Sequence, residues 1–126
     1  MLKDIDATAS IAVKNVDAAK TFYEGILGLR PSGFEQPGLL GLASGNTPIV
    51  LYESAFAGTN QANALTWTVG EEFDAIVEDL RDKGVTFERY DDLPGLTRDG
   101  DVHVGDDFKG VWFKDPDGNI LHINGR

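Results

Sequence analysis

Cysteine is absent from the 126 residues. Disulfides, thiolate zinc sites and a cysteine nucleophile are thereby excluded, and the composition fits a reducing cytoplasm, the expected location. Histidine occurs only twice, at His103 and His122, so imidazole chemistry has two places to reside. Basic residues are few: 11 Lys and Arg stand against 21 Asp and Glu, a formal net charge of −10. Nucleic acids and acidic membranes are held through Lys and Arg, so neither is an expected partner. The field favours a metal ion or a cationic ligand instead, although most of the acidity serves solubility. No apolar run is long enough to span a bilayer. The opening "MLKDIDATAS" has one basic residue and no apolar stretch, so no signal peptide is expected. There is no Gly-Lys-Ser/Thr phosphate loop, and no Ser-His-Asp set can be assembled.

What is present reads as short strands and two helices. "TASIAVKNV" (8–16) is rich in β-branched and apolar residues and predicts a strand, after which Asn15 can cap a helix. In "VDAAKTFYEGILG", Val16, Ala19, Phe22 and Ile26 fall at helical spacing, and Gly28 suits the position just past a helix end. "LLGLAS" and "TPIVLYES" are strand-like runs joined at Gly45-Asn46, a hairpin signal. The small, polar "AFAGTNQANA" (55–64) reads as a linker. "LTWTV" (65–69) predicts a strand. "GEEFDAIVEDLRDKG" predicts the clearest helix, with Phe73, Ile76, Val77 and Leu80 in one stripe and charges ordered as the helix dipole prefers. "VTFERY" predicts a strand, residues 91–110 a long polar loop serving as a flap, and "VWFK" and "NILHI" two strands around the turn "DPDG". Asp99 and Asp101 in that loop break the calcium-loop pattern, because His103 and Val104 fall where Asp/Asn and Gly should be.

The second half repeats the first. Val13 and Val69 end equivalent strands and Gly28 and Gly84 end equivalent helices, and the two pairs are separated by the same interval, which argues for an internal structural repeat. The expected organisation is one domain, 1–126, with module one over about 5–54, a linker over about 55–63 and module two over about 64–126.

"VKNVDAAKTFYEGILGLRP" near the start and "FKDPDGNILHI" at the end, one per half, resemble the vicinal oxygen chelate superfamily. Glyoxalase I, bleomycin-resistance proteins, fosfomycin-resistance enzymes and extradiol dioxygenases belong to that group. The resemblance implies an α+β fold of two tandem βαβββ modules, forming curled mixed sheets around a cleft, and a homodimer. It also implies four metal-ligand positions in the members that use metal. Matched here, they fall on Thr8, on Ala64, near Leu51 to Glu53, and on His122. Thr8, Ala64 and Leu51 are not strong ligands, which leaves His122, and Glu53 if the strand register allows it. Such sites generally need three or more protein ligands, so no tight catalytic metal or other cofactor is expected, while a divalent metal on His122 and Glu53 stays open.

Alternation along "NILHIN" puts Ile120, His122 and Asn124 on one face and Leu121 and Ile123 on the other. His122 is then a pocket-wall residue that can contact a ligand, move a proton or satisfy a neighbour. Trp67, Trp112 and Tyr52 are candidate aromatic walls for a planar or cationic small molecule, with His122 and Glu53 as polar contacts. The expected function is small-molecule binding by sequestration, as in the bleomycin-resistance members, with antibiotic resistance as its setting. The alternative is a divergent metal-dependent lyase, isomerase or dioxygenase using His122 and Glu53. A protein-interaction domain is the third class, and the sequence leaves open whether the protein is an enzyme.

Overall fold

β1 (Ala9–Val13) opens the chain's first sheet and is shorter than its sequence suggests. The cause is Asn15, whose side chain accepts a hydrogen bond from Ala18 N at 2.9 Å and so starts α1 (Val16–Lys20). The expected single helix does not continue evenly. It widens into a π-helical stretch over Thr21–Ile26, with Leu27 N donating to Phe22 O, before Gly28 turns away at φ 74°. Ala19, Phe22 and Tyr23 are buried along this helix, and the two rings meet edge to face at 5.2 Å.

A computed structural model describes all residues from Met1 to Arg126, and the chain divides into two compact units, Met1–Thr59 and Asn60–Arg126. No helix is long and apolar enough to cross a membrane. The first unit continues with β2 (Arg30–Gln36), β3 (Leu39–Ser44) and β4 (Thr47–Glu53). Its sheet has the order β1-β4-β3-β2, with β1 and β4 parallel. Ile11, Val13, Leu40, Leu42, Ile49 and Leu51 are buried. They share one face of the sheet, and α1 supplies the buried side chains that complete this unit's core.

The second unit follows the same order with one addition. It runs β5 (Asn63–Gly70), α2 (Phe73–Asp82), β6 (Phe87–Glu88), β7 (Thr97–Asp99), β8 (Val102–Gly105), β9 (Phe108–Lys114) and β10 (Ile120–Gly125). The sheet order is β5-β10-β9-β8-β7, with β6 on β9, and β5 parallel to β10. Each unit is thus a βαβββ module, the second carrying the extra hairpin β7–β8. Ten strands and two helices in two mixed sheets make the fold α+β, as expected.

Two expectations change here. "VTFERY" keeps only a two-residue strand. Residues 91–110 are not one long loop, because β7 and β8 pair across a turn at Gly100 (φ 63°) and extend the sheet. Their alternation was masked by Asp, Arg and Gly, which ion pairs to α2 and to the segment after β6 hold in place. Asp101 accepts from Arg89 Nε at 3.0 Å and Arg81 at 3.3 Å. Arg98 pairs with Asp91 and donates to Gly100 O at 2.8 Å.

The packing around α2 distinguishes the two faces of this sheet. Phe73, Val77 and Leu80 of α2 are buried with Phe87, Val111, Phe113, Leu121 and Ile123. Lys109, in phase with Val111 and Phe113, reaches Asp74 of α2 at 3.1 Å. Odd-numbered residues of β9 and β10 therefore face α2, and even-numbered residues face away.

Candidate functional site

Strand register places His122, Trp112 and Thr66 side by side on the face away from α2. The His122 ring stacks on Trp112 with centroids 4.1 Å apart and planes 20° apart, and Phe108 lies 6.3 Å away in near-parallel orientation. Gly110 makes this arrangement possible. A methyl group there would sit 2.9 Å from the Phe108 ring and 3.0 Å from the His122 ring, closer than side chains pack.

Both nitrogens of His122 are engaged. Nδ1 lies 3.0 Å from Val111 O, and a carbonyl can only accept, so the hydrogen resides on Nδ1. Nε2 keeps its lone pair and accepts from Asn124 Nδ2 at 3.1 Å. The ring is 6% exposed. Burial lowers the His122 pKa from its ordinary value, the nearby His103 adds to this, and the hydrogen bond to Val111 opposes it. His122 is thus a neutral, positioned ring.

His103, which the sequence left unfixed, is held on β8 and fully buried. Its Nε2 accepts from Tyr90 N at 3.0 Å and its Nδ1 faces Gly110 O at 3.3 Å. Its ring meets Trp112 edge to face at 4.8 Å. Tyr90 touches both His103 and Trp112. Burial raises the Tyr90 pKa, helped by Glu88 and opposed by Lys114, so its hydroxyl stays protonated. The indole Nε1 of Trp112 donates to Asn63 Oδ1 at 3.2 Å.

The remaining site residues from the sequence fall elsewhere. Trp67 pairs with Ile123, not with His122, and so lies on the α2 face, opposite to Trp112. It is a correction to the grouping of the two indoles as walls of one site. Its cause is the bulge between Ile120 and Leu121 in the β5–β10 register. Tyr52 lies on β4 opposite Ala12 and Leu39, on the face away from the buried Leu51, and is 38% exposed. Glu53, one residue on, shares the face of Leu51. Its Oε2 accepts from Val16 N at 3.1 Å, at the start of α1. Alternation along β4 therefore turns Glu53 to the start of α1 and Tyr52 to the opposite face.

No group of three or more His, Asp or Glu side chains is arranged to hold a metal ion. Thr8 precedes β1, Ala64 has a methyl side chain, Glu53 caps α1, and His122 Nε2 is spoken for by Asn124. These residues do not fit the metal that the resemblance implies. The sequence had placed Asn124 on the His122 face but had not identified Asn63, Thr66 or Gly110. Their part depends on cross-strand register, for which the local sequence carries no signal.

The family model described as the Glyoxalase/Bleomycin resistance protein/Dioxygenase superfamily matches residues 5–123. No protein of curated function matches by sequence. Among solved structures, lactoylglutathione lyase from Agrobacterium tumefaciens is similar, at 16% identity, covering 97% of this chain and 93% of that one, with a TM-score of 0.70. The glyoxalase/bleomycin resistance protein/dioxygenase from Alicyclobacillus acidocaldarius has 16% identity, 97% and 91% coverage, and a TM-score of 0.70. The genomically encoded fosfomycin resistance protein of Listeria monocytogenes has 13% identity, 95% and 91% coverage, and a TM-score of 0.68. At these identities the likeness speaks for the fold.

Proposed function

The chain belongs to the glyoxalase/bleomycin resistance protein/dioxygenase superfamily, and from that premise we propose that it binds and sequesters a small planar molecule without a tight catalytic metal. One observation carries this reading: the double engagement of His122. Its Nδ1 bonds the Val111 carbonyl and its Nε2 bonds Asn124, while its ring stacks flat on Trp112. A metal ligand needs a lone pair aimed at the ion, with Nδ1 or Nε2 left for an orienting partner. Here the second nitrogen is used as well. The imidazole instead backs an indole, and aromatic surface with a few polar groups suits flat ligands.

Binding without turnover would act by mass action, holding a toxic compound at a concentration set by its Kd and the amount of protein. Antibiotic resistance is the setting this suggests, since a fosfomycin resistance protein shares the fold. The protein is a homodimer in this proposal and acts in the cytoplasm. The test combines two measurements. Elemental analysis of protein dialysed against trace divalent ions is expected to find far less than one transition-metal ion per chain. Titration with planar drugs is expected to quench Trp112 fluorescence stoichiometrically, with the drug recovered unchanged. One tightly held ion per chain, or consumption of every bound compound, would overturn sequestration in favour of metal-dependent chemistry.

A further inference from the structure

The charged strand residues on the Trp112 face are already committed. Lys114 Nζ lies 3.2 Å from Glu88 Oε1, and Arg98, opposite His103 on β7, is paired with Asp91. The interior of the face is polar but uncharged. Along β5, Asn63, Thr66 and Thr68 are exposed, and they pair with Ile120, His122 and Asn124 of β10. Asn63 accepts the Trp112 indole N–H through Oδ1, so its amide hydrogens are left to donate. Asn124 gives its amide nitrogen to His122, so its carbonyl oxygen is left to accept. The two threonine hydroxyls lie between and can do either. A row with a donor at one end and an acceptor at the other therefore runs beside the indole.

We infer that this face takes an uncharged planar molecule whose edge carries both a donor and an acceptor, such as a fused lactam or cyclic imide, and that it disfavours ions of either sign. The inference rests on the ligand-binding reading above and narrows it, away from the cationic ligand that net charge alone suggests. The physical reason is desolvation. An ion moved from water onto this face gives up hydration and meets no uncommitted counter-charge. A neutral lactam exchanges its water hydrogen bonds for those of a threonine hydroxyl, which both donates and accepts, while its ring covers apolar surface. The net charge of −10 attracts cations at long range, but salt screens that field beyond about 8 Å at physiological ionic strength.

Three bicycles of the same size separate the alternatives: quinolin-2(1H)-one, which is neutral, quinoline-2-carboxylate, an anion, and N-methylquinolinium, a cation. Each is titrated at physiological ionic strength into the full chain by calorimetry, and into the Trp67→Phe variant, where Trp112 is the sole indole, by fluorescence. The lactam is expected to bind about tenfold or more tightly than either ion. Thr66→Val is expected to weaken the lactam about tenfold and to leave the cation unchanged. Equal or tighter binding of either ion overturns this inference while the ligand-binding reading stands. If none of the three binds up to its solubility limit, the inference falls together with that reading.

Discussion

At His122 three interactions converge on one imidazole: the Trp112 stack, the Val111 carbonyl and the Asn124 amide. Truncation to alanine removes all three and leaves a void, so His122→Ala is expected to lower unfolding free energy by about 3 kcal/mol, at the low end for a large buried ring. Denaturant titration checks this. Adding matter should hurt as well. Gly110→Ala presses a methyl group against Phe108 and His122, at an expected cost of about 1–3 kcal/mol. The pH dependence has a definite sign. Burial lowers the His122 pKa below its ordinary 6.5, so the unfolded chain binds more protons. The stability this ring contributes is fully present above about 6.5 and is lost as pH falls through the folded-state value. The urea midpoint is expected to drop over that range, and His122→Gln to flatten the drop. Parallel curves for the two proteins would assign the acid sensitivity to other groups. Alternation had already put His122 and Asn124 on one face, since period two is a local property of a strand. It said nothing of Trp67 against Trp112, because those residues lie on different strands whose relative register is set by pairing.

Among the elements, the end of β4 and the hairpin β7–β8 diverge most from a local reading. Glu53 is in the region where the superfamily resemblance implies a ligand, yet the parity of β4 turns it toward α1, where it accepts from Val16 N. Glu53→Ala is expected to cost about 1 kcal/mol, as loss of a helix-end cap does, and to leave metal content unchanged. A loss of bound metal on that substitution would restore Glu53 as a ligand. The hairpin is held at Asp101 by Arg81 and Arg89. Burial works against the charge of Asp101, but the hydrogen bonds from Arg89 and Arg81 outweigh it and lower its pKa. Asp101→Ala is expected to cost about 1 kcal/mol, since these pairs are partly exposed. The loss should fall on the hairpin and show as faster amide exchange at Val102 and His103. Uniform acceleration across both units would mean the pairs carry global stability instead. The helix α2 was legible because its stripe, its acidic first turn and its closing Gly84 all agree. The hairpin was not, because five acidic residues, one arginine and three glycines in residues 91–106 look like solvated loop until the strand pairing is known.

For the whole molecule, the same βαβββ order appears twice, and each copy folds its own sheet around its own buried face. The chain carries 21 acidic against 11 basic residues, and such self-repulsion opposes the compact state. Moderate sodium chloride is therefore expected to raise the melting temperature, and a chelator to leave it unchanged. A fall of several degrees on chelation would point to a resident ion. Periodicity, helix caps and the equal spacing of the two halves were enough to read most of the elements and the repeat, and the resemblance of two short motifs implied the α+β fold and the superfamily, because each is written in short-range pattern. Which side chains meet was decided only by tertiary structure. A one-residue bulge moves Trp67 to the opposite face from Trp112, and pairing with β5 and β9 brings Thr66 and Trp112 beside His122. Cross-strand register is a property of two segments at once, fixed by backbone pairing and the packing of the buried face, and no single segment carries it.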